Sequence, residues 1–311
     1  MSVVQTGLKA ARDVSKRAFK DNQRHTRSST TRHEIYVDRS VIVLNKPPGL
    51  AAQRTVAASS LKVADGTDFD GVLKDLRRRY DAEDIPFPVH RLDKSTTGAL
   101  VLARTKAMSQ ELSQQFHSHD VNKSYLALVR GGAKTFPEKA GEIDGSMYID
   151  DGRVSLKPSK DAEAKRARTG WEVLASSERA PVSLLRFQLH TGVKHQLRVH
   201  AASVLKAPIL GDSLYGSPKL APQIASATLV PEGRMFLHAS SMSLIRYRRD
   251  GPHKRFRLGI VAPLPRDFVE VCRDLDIDFD EGDVEGGVYV DGERVDGGKV
   301  AGIDGAWVAR P

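Results

Sequence analysis

The string HRLDKSTTGALVLAR, residues 90–104, sets Arg91 and Asp93 two residues apart in a Pro-preceded polar loop just ahead of an apolar run. Loops mounted on a rigid sheet are where reactive groups usually lie. A carboxylate there can act as a nucleophile, a general base, a metal ligand or one half of a structural ion pair. No second acidic residue stands close by in sequence, which weighs against paired-carboxylate and divalent-metal chemistry. His190, His195 and His200 recur every five residues and so do not share a helix face; with Cys272 the only cysteine, they read as packing or hydrogen-bonding histidines and no metal site is expected. Other common sites are missing: G-x-G-x-x-G after a strand, G-x-S-x-G and H-E-x-x-H do not occur, and GERVDGGKV (292–300) has Val300 where a phosphate loop needs Ser or Thr.

The elements that must hold this loop can be read from apolar spacing. EIYVDRSVIVLNKPPGL (34–50) reads as a strand pair stopped by Pro47, Pro48 and Gly49. Residues 51–70 suit a surface loop, and the spacing of Val72, Leu73, Leu76 and Tyr80 predicts a helix over 70–80. A strand from Ala99 to Arg104 and a helix to about residue 117 follow the HRLD loop, and KSYLALVRG (123–131) reads as a strand closed by glycines. Residues 133–168 form a polar insertion with hairpins. WEVLASS and APVSLLRFQLHTG are two further strands, KHQLRVHAASVL (194–205) a helix, GRMFLHASSMSLIRY and HKRFRLGIVAPLP two more strands, and DFVEVCRDL a short last helix. Many strands with dispersed helices predict an α+β fold with a mostly antiparallel mixed sheet and flanking helices and loops. From Asp280 the composition turns to Gly, Asp and Val, which suggests a loosely attached tail with a hairpin turn at Asp291–Gly292.

The chain has 311 residues, 40% apolar and 28% charged, enough for a sizeable core. Its 48 basic and 39 acidic side chains give a net charge of +9, which favours a polyanionic partner such as RNA, DNA or an acidic membrane surface. The lone Cys272 excludes an internal disulfide framework and fits a reducing compartment. No apolar run is long enough to span a bilayer and no apolar segment follows Met1, so a soluble, non-secreted protein is expected. Residues 1–33 carry Lys9, Arg12, Lys16, Arg17, Lys20, Arg24, Arg27 and Arg32 against Asp13 and Asp21, among several Ser and Thr. That profile suits a matrix-targeting presequence or a basic arm that touches RNA. No exposed heptad or apolar stripe stands out, and a monomer is expected.

HRLDKSTTGALVLAR resembles the signature loop of the RluA-type pseudouridine synthases, which isomerise uridine in RNA. Four other segments agree in order: VIVLNKPPGL, KSYLALVRG, TGVKHQLRVH with PILGDSLYG, and RMFLHASSMSL. The resemblance spans about residues 35–265 and implies a pseudouridine synthase-like catalytic domain over 34–279, between the basic arm 1–33 and the tail 280–311. It implies Asp93 as the nucleophile, Tyr125 as the tyrosine that stacks on the target base, Arg198 as the arginine paired with the aspartate, and Arg91 as the side chain filling the gap left by an everted uridine. Lys46 and Lys94 read as phosphate contacts, with His90, Lys194 and His195 as further substrate contacts. The reaction breaks an N–C bond, turns the uracil and forms a C–C bond; it requires one carboxylate and implies no metal or small-molecule cofactor, with the Tyr125 hydroxyl as the base that takes the C5 proton.

Val193 stands where many bacterial relatives have a basic residue after Thr-Gly, and TGVKHQ with AASVLKAPILGD is more similar to eukaryotic organellar members. Together with the basic arm this favours a mitochondrial location over a cytoplasmic or nuclear one. Residues 1–34 are too short for an S4-type module, so RNA choice is expected to rest on the catalytic domain, the insertion and the two tails. The expected activity is isomerisation of uridine in mitochondrial large-subunit rRNA, with a tRNA as the next substrate. The contrasting reading is a non-catalytic RNA-binding or ribosome-assembly factor, because phosphate contacts alone give affinity without chemistry.

Overall fold

The computed structural model describes residues 33–52, 69–150, 153–158 and 162–309. The basic arm and most of the 51–70 loop lie outside these residues. Strands β1 (Glu34–Val37) and β2 (Val41–Lys46) are joined by a turn that Asp38 closes, its carboxylate accepting the backbone N–H groups of Ser40 and Val41 at 2.7 Å. Helix α1 (Phe69–Arg79) and strand β3 (Phe87–Pro88) follow. The predicted strand after the HRLD loop is β4 (Thr97–Ala103), buried throughout, and the predicted helix is α2 (Lys106–His117), capped by Thr105 Oγ1 accepting the Met108 N–H. Strands β5 (Asn122–Arg130), β9 (Val182–Leu189), β10 (Leu237–Tyr247) and β11 (Arg255–Val261) complete the centre.

The sheet runs β1-β2-β4-β10-β5-β9 through its middle. Every pairing is antiparallel except β4 with β10, where Thr97 and Gly98 meet His238 and Ala239 in parallel. Beyond that contact β11 takes β4's place beside β10. Gly98 sits at the junction with φ +108, and a Cβ there would come within 2.3 Å of the Ala239 carbonyl oxygen, so only glycine fits.

Alternation along the strands divides the core. Ile42, Leu44, Leu100, Leu102, Tyr125, Ala127, Leu185 and Phe187 pack on one face with Leu73 and Leu76 of α1. On the other face, Val41, Val43, Ala99 and Val101 pack with Leu112 of α2. Leu126, Leu128 and Leu184 meet Phe268, Val269, Val271 and Cys272 of α5 (Arg266–Asp274), with Ile224 of α4 (Pro222–Ala227) in the same cluster. The architecture is α+β.

The hairpins expected in the 133–168 insertion form: β6 (Ala140–Asp150), β7 (Arg153–Ser155) and β8 (Glu163–Ser176) make a long arm that continues the sheet through β8–β9 pairing, with β8 running on past residue 168. One expectation needs correction. Residues 280–311 are not a loose tail. After α6 (Glu281–Glu285), β12 (Gly287–Val290) pairs with β11, and β13 (Glu293–Arg294) returns through Asp291–Gly292, both at positive φ as the predicted hairpin turn requires. β14 (Lys299–Val300) then pairs with β15 (Gly305–Trp307), which adds to β1. Val288, Val300 and Ile303 bury in the second cluster. These apolar residues are few and separated by turns, so no run of them marks a strand in the sequence.

Candidate active site

The HRLD loop returns the chain from β3 to β4, and Asp93 sits at its crest. The Asp93 carbonyl accepts the Thr96 N–H at 3.1 Å, a turn that hands the chain to β4. The carboxylate remains 22% exposed at the mouth of a cleft of about 640 Å³. Arg91, Asp93, Tyr125, Lys194, His195 and Arg198 all line this cleft, gathering six of the nine sequence-predicted positions.

Arg198 comes from a helix that is shorter and less regular than predicted. α3 (Gln196–Val199) is a single α turn that widens into a π turn over His200–Val204. Such π turns are often found at functional sites. Gln196 anchors its start: Oε1 accepts from Thr191 Oγ1 and the Val193 N–H, while Nε2 donates to Thr169 Oγ1 and the Arg168 carbonyl. His200, the next turn on, is buried against Thr169 Oγ1 at 3.0 Å, and burial lowers its pKa to about 4. Its predicted packing role fits this placement.

The Arg198 guanidinium donates through Nη1 to Asp93 Oδ2 at 3.3 Å and through Nε and Nη2 to the two oxygens of Asp212, each at 2.8 Å. It also lies over the Tyr215 ring, 5.1 Å from the centroid. Burial works against its charge, but Asp212 and Asp93 raise its pKa beyond the ordinary arginine value. Asp212 is itself fully buried, and the hydrogen bonds and charge of Arg198, with the N–H groups of Leu214 and Tyr215, outweigh that burial and hold its carboxyl low. Gly211 makes the approach possible: at φ +80, a Cβ would lie 1.8 Å from the Arg234 carbonyl oxygen. Asp212 and Tyr215 were not singled out in the sequence. The Gly-Asp turn lies beyond helix range of Arg198, and only the PILGDSLYG segment pointed to the region.

His195 stands at φ +55 with Nδ1 2.9 Å from Tyr215 Oη and Nε2 3.8 Å from Asp93 Oδ2. Burial, opposed by Asp93 and reinforced by Arg198 and Lys194, lowers its pKa and keeps the ring neutral at pH 7. Tyr125 projects from the middle of β5 and is 7% exposed. Burial and then the Asp93 carboxylate raise its pKa above the ordinary phenol value, so the hydroxyl rests protonated. Arg91 lies exposed on the cleft wall. Lys165 and Arg166 of β8 and Ile149 of β6 also face the cleft, so the arm forms one of its walls.

The other three positions lie apart. Lys46 is fully buried and cannot meet a phosphate from there: Nζ donates to the carbonyls of Leu50, Pro47 and Lys94 at 2.8, 3.0 and 3.1 Å, stitching the Pro-Pro-Gly turn to the Asp93 loop. Burial, partly offset by Asp93, pulls its pKa to about 7. His90 faces away from the cleft, stacked on Phe116 with centroids 4.7 Å apart, and its Nε2 accepts the Val101 N–H at 2.8 Å. β3 pairs with only Leu102 and Ala103, so this imidazole takes a strand donor that has no ladder partner on that side. The Lys94 side chain is exposed outside the cleft lining, while its carbonyl serves Lys46 and the Gly49 N–H. Among the described residues no group of three His, Cys, Asp or Glu could hold a metal ion, and no helix is long and apolar enough to cross a membrane.

One partly exposed carboxylate, fixed by a buried guanidinium and sharing a basic cleft with a tyrosine, suits attack on an electrophilic carbon of an anionic polymer. The profile of RNA pseudouridylate synthases matches residues 40–203. The chain belongs to that family. An RNA pseudouridine synthase of Zymomonas mobilis is 34% identical over 240 residues, 76% of this chain and 95% of the relative. A ribosomal large subunit pseudouridine synthase D of Xanthomonas campestris is 34% identical over 247 residues, 75% and 66% of the two chains. A human mitochondrial pseudouridylate synthase is 31% identical over 277 residues, 80% and 70%. The solved structure of human RNA pseudouridylate synthase domain containing 4 superposes with a TM-score of 0.63 at 27% identity, covering 84% of this chain and 99% of that one. The RluA-type resemblance is thereby established, and the protein is an RNA pseudouridine synthase.

Proposed function

We propose that this synthase isomerises a uridine of mitochondrial large-subunit ribosomal RNA, with Asp93 as its nucleophile. The observation that carries the reading is the Arg198–Asp93 contact at 3.3 Å in a cleft that Tyr125 also lines. The target nucleotide turns out of its stack, at a cost of roughly a few kcal/mol, and enters the cleft while Arg91 fills the gap it leaves. Asp93 adds to C1′ as the N1–C1′ bond breaks, or on a glycal route removes the C2′ proton and returns it to C2′ as C5 bonds to C1′. The uracil turns, C5 bonds to C1′, and the carboxylate is regenerated. Tyr125 stacks on the base. Because its phenol rests protonated, it takes the C5 proton while passing its own to the Asp93 carboxylate, which hands that proton on to N1 of the product and ends ionised.

The choice of RNA draws support from relatives named for the ribosomal large subunit and for mitochondria, and the location from the basic, hydroxyl-rich residues 1–33. Lys194, His195 and Arg91 serve as substrate contacts, and no metal or cofactor takes part. Pseudouridine mapping of organellar and cytosolic RNA, with and without the gene, tests this. Loss of one large-subunit mitochondrial site supports it; loss confined to a tRNA moves the substrate, and altered ribosomal particles with no changed uridine would replace it with an assembly role.

A further inference from the structure

A second cleft, of about 530 Å³, shares His119, Arg166, Leu189 and Thr191 with the catalytic one. Asn122 and Lys123 of β5, Gln188 of β9 and Arg168 of β8 complete the walls that matter here. Lys123 is 8% exposed as a residue, its Nζ opens to the cleft, and no hydrogen-bond acceptor or carboxylate stands within reach of it among the described residues. Arg166 and Arg168 in the same walls are both paired, Arg166 to Asp144 at 2.6 and 2.9 Å and Arg168 to Glu142. A cation on a buried stem, its head open to a cleft and no counter-ion in reach, is placed to take an anionic ligand. His90, the titratable neighbour of Lys123, is held neutral by burial.

We propose that this cleft is an anion subsite that takes a phosphodiester of the substrate RNA next to the target nucleotide, with Lys123 as its fixed cation. Lys123 and Tyr125 alternate onto the same face of β5, about 7 Å apart along the strand. That separation suits one RNA strand whose target base meets Tyr125 while a neighbouring phosphate meets Lys123. Arg166, on the shared wall, lies between the two clefts and tracks the same backbone. The inference rests on the reading of the Asp93 cleft as the place where the uridine enters.

Lys123→Met keeps the apolar stem and removes the charge. In the full chain it should fold with an unchanged or higher melting temperature, weaken binding of a stem-loop RNA several-fold at physiological salt, and reduce the salt slope of log Kd by about 0.7–0.9. Single-turnover pseudouridine formation at saturating RNA should stay within about three-fold of the parent. Unchanged affinity and slope overturn the proposal, as does full affinity with lost turnover, which would put Lys123 in the chemistry. Should the variant not fold, acetylation of Lys123 in the parent protein, read by mass spectrometry, decides instead: the same stem-loop must protect it, and equal modification with and without RNA overturns the subsite. Asp93→Ala separates the two readings, since pseudouridine formation by that variant would refute the catalytic cleft whatever Lys123 does.

Discussion

Arg198 is held by Asp212 more closely than it holds Asp93: two bonds of 2.8 Å on one side against a single contact of 3.3 Å on the other. The buried carboxylate therefore fixes the guanidinium, and the partly exposed one is left to answer to substrate. Asp212→Asn breaks a buried pair by removing one partner, and the unfolding free energy should drop by about 3 kcal/mol. Turnover of the folded fraction should also drop at least ten-fold, because Arg198 then relaxes onto Asp93. Urea unfolding together with single-turnover assays well below the melting temperature checks both; lost stability with parental turnover would leave Asp212 a purely architectural residue.

Asp93 contributes little to packing, which separates its chemical role from the fold. Asp93→Asn should abolish pseudouridine formation while RNA affinity stays within a few-fold and the melting temperature within a few degrees. Product analysis by nuclease digestion and chromatography provides the check, and residual isomerisation at parental rate would end the nucleophile assignment.

Most of the sheet was legible because β2, β4, β5 and β9 carry short, near-continuous apolar runs rich in Val and Leu and bounded by turn residues, as strands buried on both faces do. The Asp93, Tyr125 and Arg198 constellation was legible through motif resemblance, since these residues lie far apart in sequence and local spacing relates none of them. What stayed hidden was burial of charge. Lys46 and His90 belong to residue types that usually seek water, and their partners are backbone groups supplied by other segments, such as the Lys94 carbonyl and the Val101 N–H. Strands of two or three residues set among glycine-bearing turns, such as β14 and β15, leave no periodic trace at all.

Burial of Lys46 against three carbonyls gives a prediction opposite to that of a phosphate contact. Lys46→Met leaves those carbonyls without their donor and should cost about 2–3 kcal/mol of stability. It should also slow turnover by loosening the loop that carries Asp93. The salt slope of RNA binding should not move. A slope reduced by about 0.7–0.9 would mean that Lys46 reaches a phosphate after all.

Burial lowers the pKa of His33 and His195, but three more strongly shifted histidines dominate the response to acid. His200 and His238 are buried and neutral with pKa values lowered by burial to about 4, and His90 is lowered by burial, with a smaller push from Lys123, to about 3. The unfolded chain binds protons at these positions near pH 6.5, while the folded chain does not. Stability is therefore complete above pH 6.5 and declines as pH drops toward 4, by at most about 1.4 kcal/mol per pH unit for each site. Lys46, with a folded value near 7, is largely charged in both states below pH 6.5 and adds little in this window. Urea midpoints should move steadily downward from pH 6.5 to 5, before ordinary carboxylates begin to titrate. His238→Asn should flatten part of that slope, because it removes one of the groups that takes up a proton only on unfolding. A midpoint constant across this interval would mean that these imidazoles are protonated in the folded protein and that their contacts to Thr97, Thr169 and Val101 are not those of neutral rings.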